Sequence, residues 1–172
     1  SERLTGSDLV LNHETAKHDF TKGIGVMGIA THEGSNNVAL GYNSAYGLTT
    51  GSRNIVIGQN TAQGLTTGSD NVIIGNSIYG LSSSLANNII IADGAGNRRI
   101  NVDASGRVGI GTNTPSTAAL LDVTSTTGGV LFPRMTGTQR DAISTPPDGL
   151  VIYNTTTNKL QVRAASAWVD LH

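Results

Sequence analysis

Asn54-Ile55-Val56-Ile57-Gly58 decides the fold, because the chain writes this line four times. It stands as Asn37-Val38-Ala39-Leu40-Gly41 before, and as Asn71-Val72-Ile73-Ile74-Gly75 and Asn88-Ile89-Ile90-Ile91-Ala92 after. The starts at 37, 54, 71 and 88 give a step of 17 each time. A fixed step of this size is the signature of a solenoid, one coil per repeat. Short β-branched runs bounded by Gly, Asn and Ser are strand and turn chemistry, so each line is a strand and the strands stack in parallel. Small residues fill the space between lines, as in Leu48-Thr49-Thr50-Gly51-Ser52 and Leu65-Thr66-Thr67-Gly68-Ser69.

Side chains alternate along a strand. The expectation is that Val38 and Leu40, Ile55 and Ile57, Val72 and Ile74, and Ile89 and Ile91 fill the coil interior. Ala39, Val56, Ile73 and Ile90 then point outward. Strands apolar on both faces are covered on both faces. Identical neighbouring chains are the simplest cover, so these four residues are expected to form a homotrimer interface. The competing cover is residues 1–34 or the C-terminal part folding back. The aligned asparagines should stack as a hydrogen-bonded ladder. Gly41, Gly58 and Gly75 should turn each coil where a side chain would clash.

Composition agrees with an elongated all-β protein. Of 172 residues, 22 are glycine, only 4% are aromatic and only 13% are charged. Such a chain builds a thin core spread along an axis. The net charge of −1, with no basic run, argues against nucleic acid and anionic membranes as partners. No cysteine is present, so disulfides and thiolate chemistry are excluded. No apolar run is long enough to insert in a membrane. Ser1 in place of an initiating methionine suggests a fragment or a processed chain.

Candidate chemistry is sparse. His13, His18 and His32 lie near Glu14, Asp19 and Glu33, but their spacing matches no ligand motif, and solvated histidines are the better reading. Calcium-binding coils need acidic loops, and these loops carry Asn, Thr and Ser with Asp70 the lone acid. The scattered aspartates Asp103, Asp122, Asp141, Asp148 and Asp170 do not form a glycosidase pair. No nucleophile elbow is present. The expectation is a non-enzymatic protein with no cofactor and no metal.

Four segments follow in order. Residues 1–34 are a lead-in or attachment segment, with strand-like stretches at Asp8–Asn12 and Gly23–Ala30. Residues 35–97 are the solenoid shaft. Residues 98–128 are a β-hairpin linker, with runs Arg99–Asp103 and Arg107–Gly111 around a Gly-containing turn. Residues 129–172 are a small hairpin-rich tip module. In it, Leu150–Asn154 and Lys159–Arg163 flank the turn at 155–158, and Trp168-Val169-Asp170-Leu171 is a last strand. Thr138 reads as the N-cap of a short helix, with Asp141 in the capping-box position.

The repeat lines, with Asn43-Ser44-Ala45 after the first, resemble the head domains of trimeric autotransporter adhesins, which implies a trimeric β-roll. The C-terminal block resembles a module of phage tail-fibre and virion-spike proteins. The residues that carry this are Gly129-Val130-Leu131-Phe132-Pro133-Arg134-Met135-Thr136, Gln139-Arg140-Asp141-Ala142-Ile143, Gly149-Leu150-Val151-Ile152-Tyr153-Asn154 and Ala167-Trp168-Val169. That resemblance implies an intertwined homotrimeric fibre of an extracellular virion, attaching to a bacterial surface glycan or protein receptor. The N-terminal side would bind other virion proteins. A capsid head fibre or decoration protein, and a bacterial adhesin head, are the alternatives. Receptor-contact candidates are Tyr153, Thr156, Asn158, Arg163 and Trp168. For Trp168, an anchor in the module's core is the competing role.

Overall fold

The structure is a computed structural model and describes residues 34–171. The strands and histidines considered within residues 1–33 lie outside the described residues. The chain divides into two compact units, one ending at Ser125 and the other beginning at Thr126.

The first unit is a β-solenoid. Its repeat strands are β1 (Val38–Leu40), β2 (Ile55–Ile57), β3 (Val72–Ile74) and β4 (Ile89–Ala92). They pair in parallel with an unbroken 17-residue register, Ala39 beside Val56, Val56 beside Ile73 and Ile73 beside Ile90. The sheet continues through β5 (Arg98–Val102), β6 (Val108–Ile110) and β7 (Leu121–Val123). The expected hairpin is present: β5 is antiparallel to β4 and to β6, and β7 returns parallel to β6.

The two faces of the repeat strands are opposite to the sequence expectation. Ala39, Val56, Ile73 and Ile90 are buried inside the coils of a single chain and cannot be the surface that meets a neighbour. They pack against Ala45, Leu48, Ala62, Leu65 and Ile78 from the returning arms of the coils. The reason is the asparagine two residues earlier, which shares their side of the strand. That asparagine is polar, yet it is satisfied inside.

Asn54 and Asn71 are buried. The Asn37 Oδ1 accepts from the backbone N–H and the Nδ2 of Asn54, at 2.9 and 3.0 Å. Asn54 Oδ1 does the same for Asn71, at 3.1 and 2.9 Å. Each Nδ2 also donates to a carbonyl of its own coil: Asn37 to Gly51, Asn54 to Gly68, Asn71 to Leu85. The ladder therefore closes each coil and ties it to the next. It replaces the apolar bulk that a thin coil has no room for.

Backbone conformation repeats with the sequence. The residue before each ladder asparagine is left-handed: Asn36, Arg53, Asp70 and Asn87, with φ between 57° and 63°. A non-glycine residue there costs roughly 1 kcal/mol, which stacking of identical coils must offset. Arg53 and Asp70 occupy two of these corners and form an ion pair between coils, Nε to Oδ1 at 2.6 Å. Gly58 sits at φ 132°, where a Cβ would lie 1.8 Å from the Gly75 carbonyl oxygen of the next coil. The fourth line ends in Ala92 because no further parallel coil stacks beyond it.

The second unit is a four-stranded sheet in the order β11-β10-β9-β8. Its elements are β8 (Arg134–Met135), α1 (Gly137–Asp141), β9 (Val151–Asn154), β10 (Lys159–Ala164) and β11 (Ala167–Asp170). The expected hairpin and last strand are present, with Tyr153 opposite Leu160 and Arg163 opposite Trp168. The helix cap lies two residues earlier than expected. Thr136 is the N-cap, and Gln139 completes the capping box by accepting from the Thr136 backbone N–H. Glutamine fits the N3 position as well as an acid does.

Candidate assembly and receptor-binding surfaces

The outward face of the seven-stranded sheet is the first candidate. Register places Val38, Ile55, Val72, Ile89, Val102, Val108 and Leu121 in one row across all seven strands. Leu40, Ile57, Ile74, Ile91, Ile100, Ile110 and Val123 form the other. Every one of the fourteen is aliphatic, and nine are 36–58% exposed. The inner row between them changes character along the sheet. It is aliphatic through Ile90 and then becomes Asn101, Gly109 and Asp122. So the inner apolar row stops where the coils stop, while the outer rows run on without a break.

The second unit is also two-faced. Met135, Ile152, Asn154, Gln161, Arg163, Trp168 and Asp170 share the side that α1 covers. Arg140 reaches down from α1 and donates through Nη1 to Gln161 Oε1 at 2.8 Å. Gln161 also accepts from Asn154 and donates to Asp170 Oδ1 at 2.7 Å. The Lys159 ammonium and the Gln161 amide hold the Asp170 carboxyl below the usual carboxylate range. Trp168 is half-buried between two guanidinium groups, Arg140 at 5.7 Å and Arg163 at 5.9 Å from its ring centre. The indole is thus engaged by cations on this face.

The opposite side carries Val151, Tyr153, Leu160, Val162, Val169 and Leu171. Arg134 stacks on the Tyr153 ring at 5.5 Å. With Val130, Leu131, Phe132 and Leu160 they line a shallow cavity of about 140 Å³. Leu131 is 79% exposed.

The expected receptor residues therefore do not form one site. Arg163 and Trp168 meet on the helix-covered face, and Tyr153 lies on the other. Thr156 is a structural tie: its Oγ1 accepts from the Gly137 N–H, and its own N–H donates to Asn154 Oδ1. Asn158 is left-handed at φ 56° and turns the hairpin. The exposed part of this turn is Thr156–Lys159.

Arg98 was not anticipated. A bulge between Ile91 and Ala92 pairs Ala92 with Arg98 and skips Arg99. Bulges re-aim side chains. Here Arg98 takes the inner side of the sheet beside Ile90 and Asn101, while Arg99 pairs with Asp93. Arg98 lines two adjoining cavities of about 360 and 270 Å³, the first with Tyr79, Asn97 and Asn113. Its guanidinium donates to the Tyr79 carbonyl at 3.4 Å, and no carboxylate among the described residues pairs with it. Burial lowers its pKa. Nothing in the sequence distinguishes Arg98 from Arg99, because only the bulge separates their roles.

Among the described residues no group of three His, Asp or Glu is placed to hold a metal ion, and no helix is long and apolar enough to cross a membrane. Comparison with curated proteins and with solved structures finds no match. Residues 109–172 match the family model described as phage tail like trimerisation region. The matched stretch takes in most of β6, all of β7 and the whole four-stranded sheet, so the C-terminal part of the chain is similar to a phage tail like trimerisation region.

Proposed function

We propose that the protein is a homotrimeric fibre segment of a bacteriophage that attaches the virion to a surface glycan or protein of its bacterial host. The observation that carries this reading is the trimerisation match together with a C-terminal sheet whose second face is largely apolar and leaves Val169 and Leu171 exposed. Three copies give each weak receptor contact an avidity that one copy lacks. The contact surface on the C-terminal module is the exposed turn Thr156–Lys159. The Arg98 cavity offers a second contact, for the carboxylate of an acidic sugar, with the exposed Tyr79 ring beside it. Residues 1–34 serve attachment to other virion proteins.

The test has two parts. Light scattering should return the mass of three 17.7-kDa chains. Labelled trimer should bind host cells or an array of bacterial envelope polysaccharides. The N158A/K159A variant should bind less while keeping its trimer mass. A monomer mass, or binding to no bacterial surface, refutes the reading. If N158A/K159A binds normally and R98A does not, the receptor contact moves to the cavity.

A further inference from the structure

We infer that the trimer contact is not confined to the C-terminal sheet: the outward face of the seven-stranded sheet packs against two further copies of itself, from β1 through β7. This rests on the homotrimer reading above and extends it to the solenoid.

Three observations name the occupant. The first is continuity. Ile110 of β6 and Leu121 and Val123 of β7 lie within the stretch that matches the trimerisation region, and they are the last members of the two outer rows. The rows run from there to Val38 and Leu40 with no polar interruption. A surface that contacts other copies at β6 and β7 meets the same copies at the preceding strands if the chains stay in phase.

The second observation is chemical. Neither row holds a charged or hydrogen-bonding side chain, so its partner must be equally apolar. At about 4.8 Å per strand the strip is roughly 29 Å long, which makes it a large patch for a monomer to leave in water. The same strip on another copy matches it in length, width and chemistry. The third observation is spacing. The 17-residue register repeats the ridge of Val and Ile in every coil, so copies aligned in parallel interlock at every coil or at none.

The chain has no cysteine, so single cysteines can report this contact without background. Ile74→Cys and Ile91→Cys place thiols on the outer face, and Thr67→Cys places one on an exposed arm away from it. Each full-length variant is treated with a short bis-maleimide and run on a denaturing gel, with its mass in solution measured first. The expected result is a trimer mass for all three, chain-to-chain crosslinks at Ile74→Cys and Ile91→Cys, and none at Thr67→Cys. A trimer mass with no crosslink at either outer position overturns this inference and leaves the trimer reading standing; residues 1–33 of the same chain covering the strip would give that result. A monomer mass overturns both. Should either variant fail to fold, Val38→Cys at the other end of the strip gives the same readout.

Discussion

Replacing Asn71 by leucine removes one rung of the ladder while nearly keeping its volume. Two backbone groups, one buried and one part-buried, then lose their partners. The Asn88 N–H loses the Asn71 Oδ1 that accepts it at 3.0 Å, and the Leu85 carbonyl loses the Nδ2 that donates to it at 2.7 Å. The Asn54 Oδ1 loses one of its two donors but keeps the residue-71 backbone N–H. Each orphaned buried group costs about 1–3 kcal/mol. Two of them, less the gain from an apolar side chain, give a loss of roughly 3 kcal/mol. With a urea slope of about 2 kcal/mol per molar, the unfolding midpoint falls by about 1.5 M. Solenoid coils couple mainly to their neighbours, so the damage should be local. Native-state hydrogen exchange of the Asn88 amide should accelerate far more than that of amides in β9 or β10. A midpoint shift equivalent to less than about 0.5 kcal/mol, or an Asn88 amide that exchanges as before, refutes the claim that the ladder closes the coils.

Two further predictions test the geometry. Gly58→Ala should fail to fold its coil, because its Cβ would lie 1.8 Å from a backbone oxygen at φ 132°, whereas Gly80→Ala, with nothing within 4 Å, should cost only about 1 kcal/mol for its left-handed φ; far-UV dichroism during melting separates them. Acid should loosen the protein by removing depressed carboxylates. Asp93 is held far down by the Asn97 amide and the Arg99 guanidinium, Asp70 by Arg53, and Asp170 by Lys159. A folded-state pKa below the unfolded value of about 3.9 gives stability that is complete above that value and is lost as pH falls through the folded pKa. The melting temperature should therefore hold between about pH 5 and 7 and drop below about pH 4; a drop beginning at pH 6 would point to a different titrating group.

The period, the parallel stacking, both hairpins and the glycine corners were legible because each is a local pattern repeated or bounded by turn residues. The orientation of the strands was not. In Asn54-Ile55-Val56-Ile57 both sides of the strand read as buried, one through Val56 and one through Ile55 and Ile57. The deciding fact is that Asn54 lies inside and is satisfied there by residues 17 and 14 positions away. Hydropathy ranks asparagine as a surface residue and cannot see those partners. The candidate receptor residues failed to converge for a related reason. Tyr153 and Arg163 belong to neighbouring strands, and the hairpin register puts them on opposite faces. Arg98 was invisible because a single bulge, not its residue type, sets its direction.

The solenoid separates an enclosed face from an open one by one residue along the chain. Ile73 is enclosed by its own coil and Ile74, beside it, faces out. Within the repeat coils the inner side is complete within one chain: its apolar row is covered, and its asparagines are bonded through the ladder. The outer side is incomplete, since its two rows have no charge to keep them in water and no cover from the described residues. A thin coil with one inner aliphatic per strand cannot gain much from enlarging its core. Its remaining route to stability is to bury the outer rows, and those rows are long, uniform and in register. Such a face favours partners that repeat with the same period, which the chain itself supplies. The inner sequence can therefore change wherever the ladder and coil volume are kept, and the outer sequence wherever it stays aliphatic. Ala39, Val56, Ile73 and Ile90 already differ in size on the inside, while the outer rows never leave Val, Ile and Leu.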